Sequence, residues 1–218
     1  MEAIIGLSII GLFVVAVIVV VILGKQRTKR LKQLSESMFF TFDGEYSDED
    51  GAFLQSLGHL ALFRKKDQGA WNVMHGKANG VTIAIFDHRY SSGSTNNRRV
   101  SEQTVIVFQS DQLQLPHFTM RLESVAHKLS TSILGYRDID FEGHPNFSGK
   151  YHLHGNDEEG IRKVFTDRVV HFFEQGGKWV VDGDANTLMV TQLKKTVAVK
   201  DIEGFLAQGF EVFSLFKS

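Results

Sequence analysis

Apolar residues fill the beginning of the chain without the periodicity of a soluble helix or strand. Ala3 to Leu23 is apolar except for Ser8. In a helix that rises 1.5 Å per residue, about 20 such residues match the roughly 30 Å hydrocarbon core of a bilayer. The pattern therefore predicts one N-terminal transmembrane helix, with residues 1–24 as the anchor.

The segment after the apolar run is basic, and its charges predict an orientation. Basic residues near a span stay on the cytoplasmic side of the membrane. We therefore expect a single-pass protein of the cell (inner) membrane, with the N-terminus outside and the C-terminal domain in the cytoplasm. A cleaved signal peptide would carry its basic residues before the apolar run instead. We assign residues 25–47 to a basic stalk and linker whose membrane-proximal cations contact anionic lipid: Lys25, Arg27, Lys29, Arg30 and Lys32.

Residues 48–218 combine strand and helix patterns. β-rich runs at 71–74 and 81–86 flank a Gly/Asn turn and predict a hairpin, and the apolar run 104–108 predicts a buried strand. Apolar residues recur at helical spacing in 161–173 and 202–216. We therefore predict one α+β domain, with a mainly antiparallel sheet and two or three packing helices.

Two tryptophan-led hairpins resemble each other. Residues 71–79 read WNVMHGKAN and residues 179–186 read WVVDGDAN, and each hairpin follows a predicted helix. This similarity suggests an internal duplication of a helix–hairpin unit, spanning 48–90 and 156–195. Chance similarity between hairpins with Asn/Gly turns remains the alternative.

Polar residues that could carry chemistry concentrate between 138 and 165. Acids alternate with apolar residues at 138–142, and histidines do so at 151–154. Alternation on a strand divides the side chains between two faces. We expect Ile139, Phe141, Tyr151 and Leu153 to point into the core, and Asp140, Glu142, His152 and His154 to point away from it. Asn156 should then cap a helix in which Arg162 pairs with Glu158.

Two kinds of site are conceivable on these strand faces, although exposed polar strand residues are commoner than either. His152 and His154 with Asp140 are weak candidates for a metal site, because two histidines on one face can share an ion. Asp138, Asp140 or Glu142 could serve a carboxylate-based hydrolase. No G-x-S-x-G, H-E-x-x-H or dinucleotide-binding motif is present. We predict no catalytic residues, no metal and no cofactor.

Composition removes further classes of function. The chain contains no cysteine, which excludes disulfides, thiolate catalysis and cysteine-ligated metals. The formal net charge of the chain is −1. Because the stalk is rich in cations, the rest of the chain carries a net negative charge. Because phosphate binding needs a positive surface, we expect no nucleic-acid partner.

The stretches LPHFTMRLES (115–124) and DIDFEGHPNFSGKYHLHGNDEEGIRKVF (138–165) resemble a family of uncharacterised bacterial membrane-anchored proteins. The shared pattern is roughly LPxF…IDFxxxPxFSxxYxLxGxDExxIRxxF. His152 and His154 fall on its variable positions. The resemblance implies a bacterial membrane protein and carries over no activity.

The sequence leaves two classes of function. The first is a non-enzymatic interaction or ligand-binding module, held by lipid through its anchor and contacting an unknown protein partner. The second is a metal-dependent or carboxylate-based hydrolase that uses the strand faces at 138–154. Whether the protein is an enzyme is uncertain, and we favour the first class.

Overall fold

One antiparallel sheet organises the body. The computed structural model describes residues 2–45, 69–92, 99–126, 138–193 and 195–217. The strands follow the order β1-β2-β3-β4-β8-β7-β5-β6, and each neighbouring pair is antiparallel. The strands are β1 (Thr41–Glu45), β2 (Gly69–Ala78), β3 (Val81–Ser92), β4 (Arg99–Gln109), β5 (Leu115–Leu122), β6 (Tyr151–Gly155), β7 (Trp179–Ala185) and β8 (Thr187–Gln192).

Helices cover one face of this sheet. Aromatic side chains build the contact: the Phe118 ring packs edge-on against Phe165, at 4.9 Å between ring centroids, and stacks on Phe216 at 5.6 Å. Burying each such ring contributes roughly 1.5–3 kcal/mol. The helices are α1 (Glu2–Ser37), α2 (Glu123–Ala126), α3 (Pro145–Lys150), α4 (Glu158–Val164), α5 (Asp167–Gln175) and α6 (Ile202–Phe216), with a 3-10 turn at Val199–Asp201. The α+β architecture with an antiparallel sheet agrees with the sequence prediction.

The N-terminal helix differs from the prediction. No helix built from the described residues is long and apolar enough to cross a bilayer, and the side chains of residues 2–11 and of residue 13 lie outside the described set. The predicted transmembrane helix at Ala3–Leu23 is therefore not supported, and this part of the predicted fold is corrected. The physical difference is that α1 continues through the basic segment to Ser37 and docks there on the body, where Leu31 is 2% exposed.

Both predicted tryptophan-led hairpins are present, as β2–β3 and β7–β8. In the first, Asn79 and Gly80 both adopt positive φ (51° and 77°), the geometry that a tight two-residue hairpin turn needs. The helix predicted before that hairpin falls on residues 46–68, outside the described residues. The duplication therefore stays a prediction.

The sheet buries side chains on its second face as well. Around β3 and β4 this face is apolar, with Phe86, Val105 and Val107 at most 1% exposed. Around β5, β6 and β7 it is polar, and that region contains the candidate site.

Candidate functional site

The alternation of apolar and polar residues correctly predicted which side chains face the core. Ile139, Tyr151 and Leu153 are at most 3% exposed, and Phe141 packs against the same core. However, residues 138–142 form no strand, and the residues directly before Tyr151 form the helix α3. The N–H of Ile139 donates to the Leu153 carbonyl (2.8 Å), and the Leu153 N–H donates to Asp138 Oδ1 (2.9 Å). The segment thereby satisfies backbone groups at the open edge of β6.

His152 faces away from the core, as predicted, but it is largely buried. Its side chain is 14% exposed, and its Nδ1 lies 3.1 Å from Asp138 Oδ2 and 3.9 Å from Glu123 Oε2. Its other ring nitrogen, Nε2, is buried and makes no hydrogen bond to the described residues. His152 therefore joins two carboxylates from different parts of the chain, and we call Glu123, Asp138 and His152 the edge cluster.

His154, two residues further along β6, has a different environment. Burial, followed by the charge of His152, lowers its pKa to about 4, so it is neutral near neutral pH. Its ring centroid lies 5.4 Å from that of His152. The neighbouring strands contribute a buried ion pair to this face, in which Arg121 contacts Asp182 at 2.8 and 2.9 Å. Of the three metal candidates, His152 belongs to the edge cluster, whereas His154 and Asp140 do not, and Asp140 is exposed in the adjoining groove.

An open groove of about 880 Å³ adjoins the edge cluster, because Asp138 belongs to both. Arg162 forms one side of it, donating to Glu158 Oε1 at 2.7 and 3.0 Å and to the Asp140 carbonyl at 2.9 Å. The predicted Arg162–Glu158 pair is thus confirmed, although the helix is capped by Asp157 rather than Asn156. The groove is lined by Asp138, Asp140, Phe141, Glu142, Gly143, His144, Arg162 and Asp167.

His144 connects this groove to α5. Its Nδ1 lies 3.2 Å from Glu174 Oε2, and its Nε2 lies 3.4 Å from Asp167 Oδ1. The hydrogen bond to Glu174 raises the pKa of His144 above its usual value, and Asp167 adds to the effect. Glu174 also accepts from the Phe147 N–H at the start of α3. Protonated His144 therefore helps to hold α3 against α5.

A second polar constellation attaches α1 to the sheet. Arg27 donates to Asp87 through Nε (2.8 Å) and Nη2 (2.7 Å), and to the Val197 carbonyl at 2.8 Å. Asn72 and Thr104 also donate to the same carboxylate, at 2.9 and 3.1 Å. We call this arrangement the Arg27–Asp87 lock.

Of the five residues predicted to be membrane-proximal cations, Arg27 is engaged in the lock, whereas Lys25, Lys29, Arg30 and Lys32 are exposed. Sequence reasoning missed Asp87. Its one signal is a single acid directly after the apolar run of residues 81–86.

Comparisons with known proteins define the fold further. No family model and no curated protein matches this chain. Among solved structures, it is similar to the crystal structure of the mycobacterial trehalose monomycolate transport factor A, TtfA. The match covers 87% of this chain and 96% of that chain, with a TM-score of 0.59 and 15% sequence identity. At that identity the likeness shows a shared fold and nothing more specific.

Proposed function

We propose that the chain is a membrane-associated, non-enzymatic module that binds a ligand or a protein partner at the cytoplasmic face of a bacterial cell membrane. The observation that carries this proposal is the division of α1 into two halves. The first half exposes apolar side chains, whereas the second half is bonded to the body.

The apolar half needs a non-aqueous environment. Leu12 is 76% exposed and Val20 is 68% exposed, and the described apolar residues between them are about half exposed. Each Å² of apolar surface removed from water contributes about 25 cal/mol. Lipid is the occupant that fits, because exposed cations follow the apolar half directly. Each can contribute about 1 kcal/mol near an anionic leaflet. They are Lys25, Lys29, Arg30 and Lys32.

The Arg27–Asp87 lock lets α1 hold the body in a defined position at the lipid surface. A bidentate arginine–carboxylate contact restricts rotation as well as distance. The body would thus present its groove and its β6 edge at a fixed orientation to the bilayer. This rigidity suits a module that receives a ligand or a partner close to the membrane.

The name of the structural neighbour is consistent with a binding role. The solved protein with this fold is named a transport factor for trehalose monomycolate. The groove also suits binding better than catalysis, since the side chains of Asp140 and Glu142 in its lining are exposed to water. The resemblance of residues 138–165 to bacterial membrane-anchored proteins is consistent with association with a membrane. We propose no nucleic-acid partner.

Vesicle flotation tests the membrane association. The full chain should float with vesicles that contain anionic lipid. The double variant Val17→Asp, Val21→Asp should stay in the dense fraction, because moving a charged side chain from water into an apolar environment is costly. The control, Asn146→Asp with Gln208→Asp, adds the same charge on the exposed surface of the body and should float. Flotation of the first variant, or a wild-type chain that fails to float, would refute the proposal.

Reporters fused after Ser218 test the orientation. Alkaline phosphatase, which is active only outside the cytoplasm, should be silent, and a green fluorescent protein should fluoresce. Phosphatase activity with a dark fluorescent fusion would place the body on the other side of the membrane.

The alternative function is a metal-dependent or carboxylate-based hydrolase, and one observation favours it. Asp138 and His152 lie 3.1 Å apart at one end of the groove, within reach of a general acid–base pair. The purified full chain can be assayed on ester and phosphoester substrates. Turnover that disappears in His152→Ala and persists in His154→Ala would favour the enzyme over the binding module.

A further inference from the structure

The edge cluster brings together three atoms with the chemistry of metal ligands. Glu123, Asp138 and His152 each offer one ligand atom, and these three atoms lie within 4.8 Å of one another. They come from the start of α2, from the segment before α3, and from the edge strand β6. Within the described ranges, no other trio of histidine and acidic side chains meets this condition.

The distances suit a small transition-metal ion. Zinc bonds to nitrogen and oxygen measure about 2.0–2.2 Å, so tetrahedral ligand atoms lie about 3.4 Å apart. The separations from His152 Nδ1, 3.1 Å to Asp138 and 3.9 Å to Glu123, fall on either side of that value. We propose that Glu123, Asp138 and His152 bind a divalent transition metal, with Zn²⁺ as the first candidate.

The donor types narrow the choice of ion. An imidazole with two carboxylates favours Zn²⁺ or Mn²⁺ over Mg²⁺ and Ca²⁺, which prefer an all-oxygen shell. Three protein ligands leave one tetrahedral position for water or for a bound molecule. Asp138 also lines the groove, so a molecule in the groove would have access to the ion.

Two features of the cluster prepare it for a cation. The Leu153 N–H holds Asp138 Oδ1 at 2.9 Å, which fixes the carboxylate so that Oδ2 faces the histidine. Such outer hydrogen bonds orient metal ligands and strengthen binding. His152 is 14% exposed and Glu123 is 29% exposed, so water screens the two carboxylates only in part.

Binding of the metal alone to the purified, chelator-treated full chain tests the site. Calorimetry should show one Zn²⁺ per chain. At a hundredfold excess of Zn²⁺ over its Kd, the melting temperature should rise by about 5–10 °C, and equal Mg²⁺ should have little effect. His152→Ala and Asp138→Asn should abolish both signals. Asp138→Asn keeps the oxygen that Leu153 needs, so this variant tests the site even if His152→Ala fails to fold.

Two controls separate the edge cluster from its surroundings. His154→Ala removes the other histidine on the same strand face, and Glu142→Gln removes a neighbouring groove carboxylate. Both should bind Zn²⁺ as the wild type does. The proposal is overturned if the wild type binds no Zn²⁺, if folded Asp138→Asn binds it unchanged, or if His154→Ala loses it equally. None of these outcomes affects vesicle flotation, so the metal site and the membrane association are tested independently.

Discussion

Replacing Arg27 with alanine should destabilise the body, because the change leaves a buried carboxylate without its counter-charge. Asp87 is 2% exposed, and two of its four hydrogen bonds come from Arg27. The remaining donors, Asn72 and Thr104, are neutral. Breaking a buried ion pair by removing one partner costs about 3–5 kcal/mol. Since Arg27 is itself 21% exposed, water can reach the vacated position. We therefore expect the free energy of unfolding to fall by about 3 kcal/mol, the lower end of that range.

Thermal unfolding of the full chain in detergent micelles, followed by circular dichroism and tryptophan fluorescence, measures this effect. For a domain of this size, 1 kcal/mol corresponds to about 2–4 °C, so Arg27→Ala should melt about 6–12 °C below the wild type. Lys29→Ala removes an exposed cation from the same helix and should stay within about 0.5 kcal/mol. The double variant Arg27→Ala, Asp87→Ala should lose less stability than the two single variants added together, because it leaves no orphaned charge.

Two results would show that the reasoning is wrong. If Arg27→Ala has the same melting temperature as Lys29→Ala, the ion pair does not hold α1 against the sheet. If the double variant loses the full sum of both single effects, the two side chains act independently. Either result would also remove the support that the Arg27–Asp87 lock gives to a fixed orientation of the body at the membrane.

Three further predictions concern the region around the groove. The hydrogen bond to Glu174 raises the pKa of His144. The stabilisation of the folded protein by protonated His144 is therefore complete below about pH 6.5 and is lost as pH rises through the raised pKa. The melting temperature of the wild type should fall accordingly between pH 5.5 and 8.5, and His144→Gln should reduce this pH dependence. Gly155→Ala would drive its new methyl group into the His117 carbonyl and should cost about 1–3 kcal/mol, whereas Gly149→Ala, which meets nothing within 4 Å, should melt near the wild type. Arg162→Ala breaks an exposed pair and should lower stability by only about 0.3–0.5 kcal/mol; a loss of several kcal/mol by urea titration would contradict this.

The hairpins of the sheet could be predicted from local signals, whereas the order of the strands and the docking of α1 could not. Period-two alternation and Asn/Gly turns are properties of neighbouring residues, so they identified the hairpins and the inward-facing set around Leu153. The contact between Arg27 and Asp87 joins residues 60 positions apart. No local pattern encodes such a pairing. The basic segment therefore looked like a stalk, although one of its cations belongs to the body.

The segment 138–142 shows why alternation alone does not make a strand. Its apolar residues do face the core, because burying Ile139 and Phe141 favours that orientation whatever the backbone does. A ladder, however, needs a partner that offers a continuous row of backbone groups. In this segment the Asp138 side chain, rather than a backbone carbonyl, accepts from Leu153, and the strand pairing is replaced by one backbone bond and one side-chain bond. Alternation therefore predicts which side chains of such a segment face the core, but it does not predict the backbone hydrogen bonds.

The two histidines of β6 show that the alternation of side chains along a strand does not predict their chemical environment. His152 and His154 share one strand face, so their spacing predicts the same environment for both. The structure gives them opposite chemistry: desolvation keeps His154 neutral down to about pH 4, whereas His152 points its Nδ1 at two carboxylates. The difference comes from what lies across the sheet edge, namely Glu123 and Asp138, which enter from segments that a strand period does not describe. A cation-binding role can therefore be assigned to His152 and withheld from His154, although the sequence offered them as an equivalent pair.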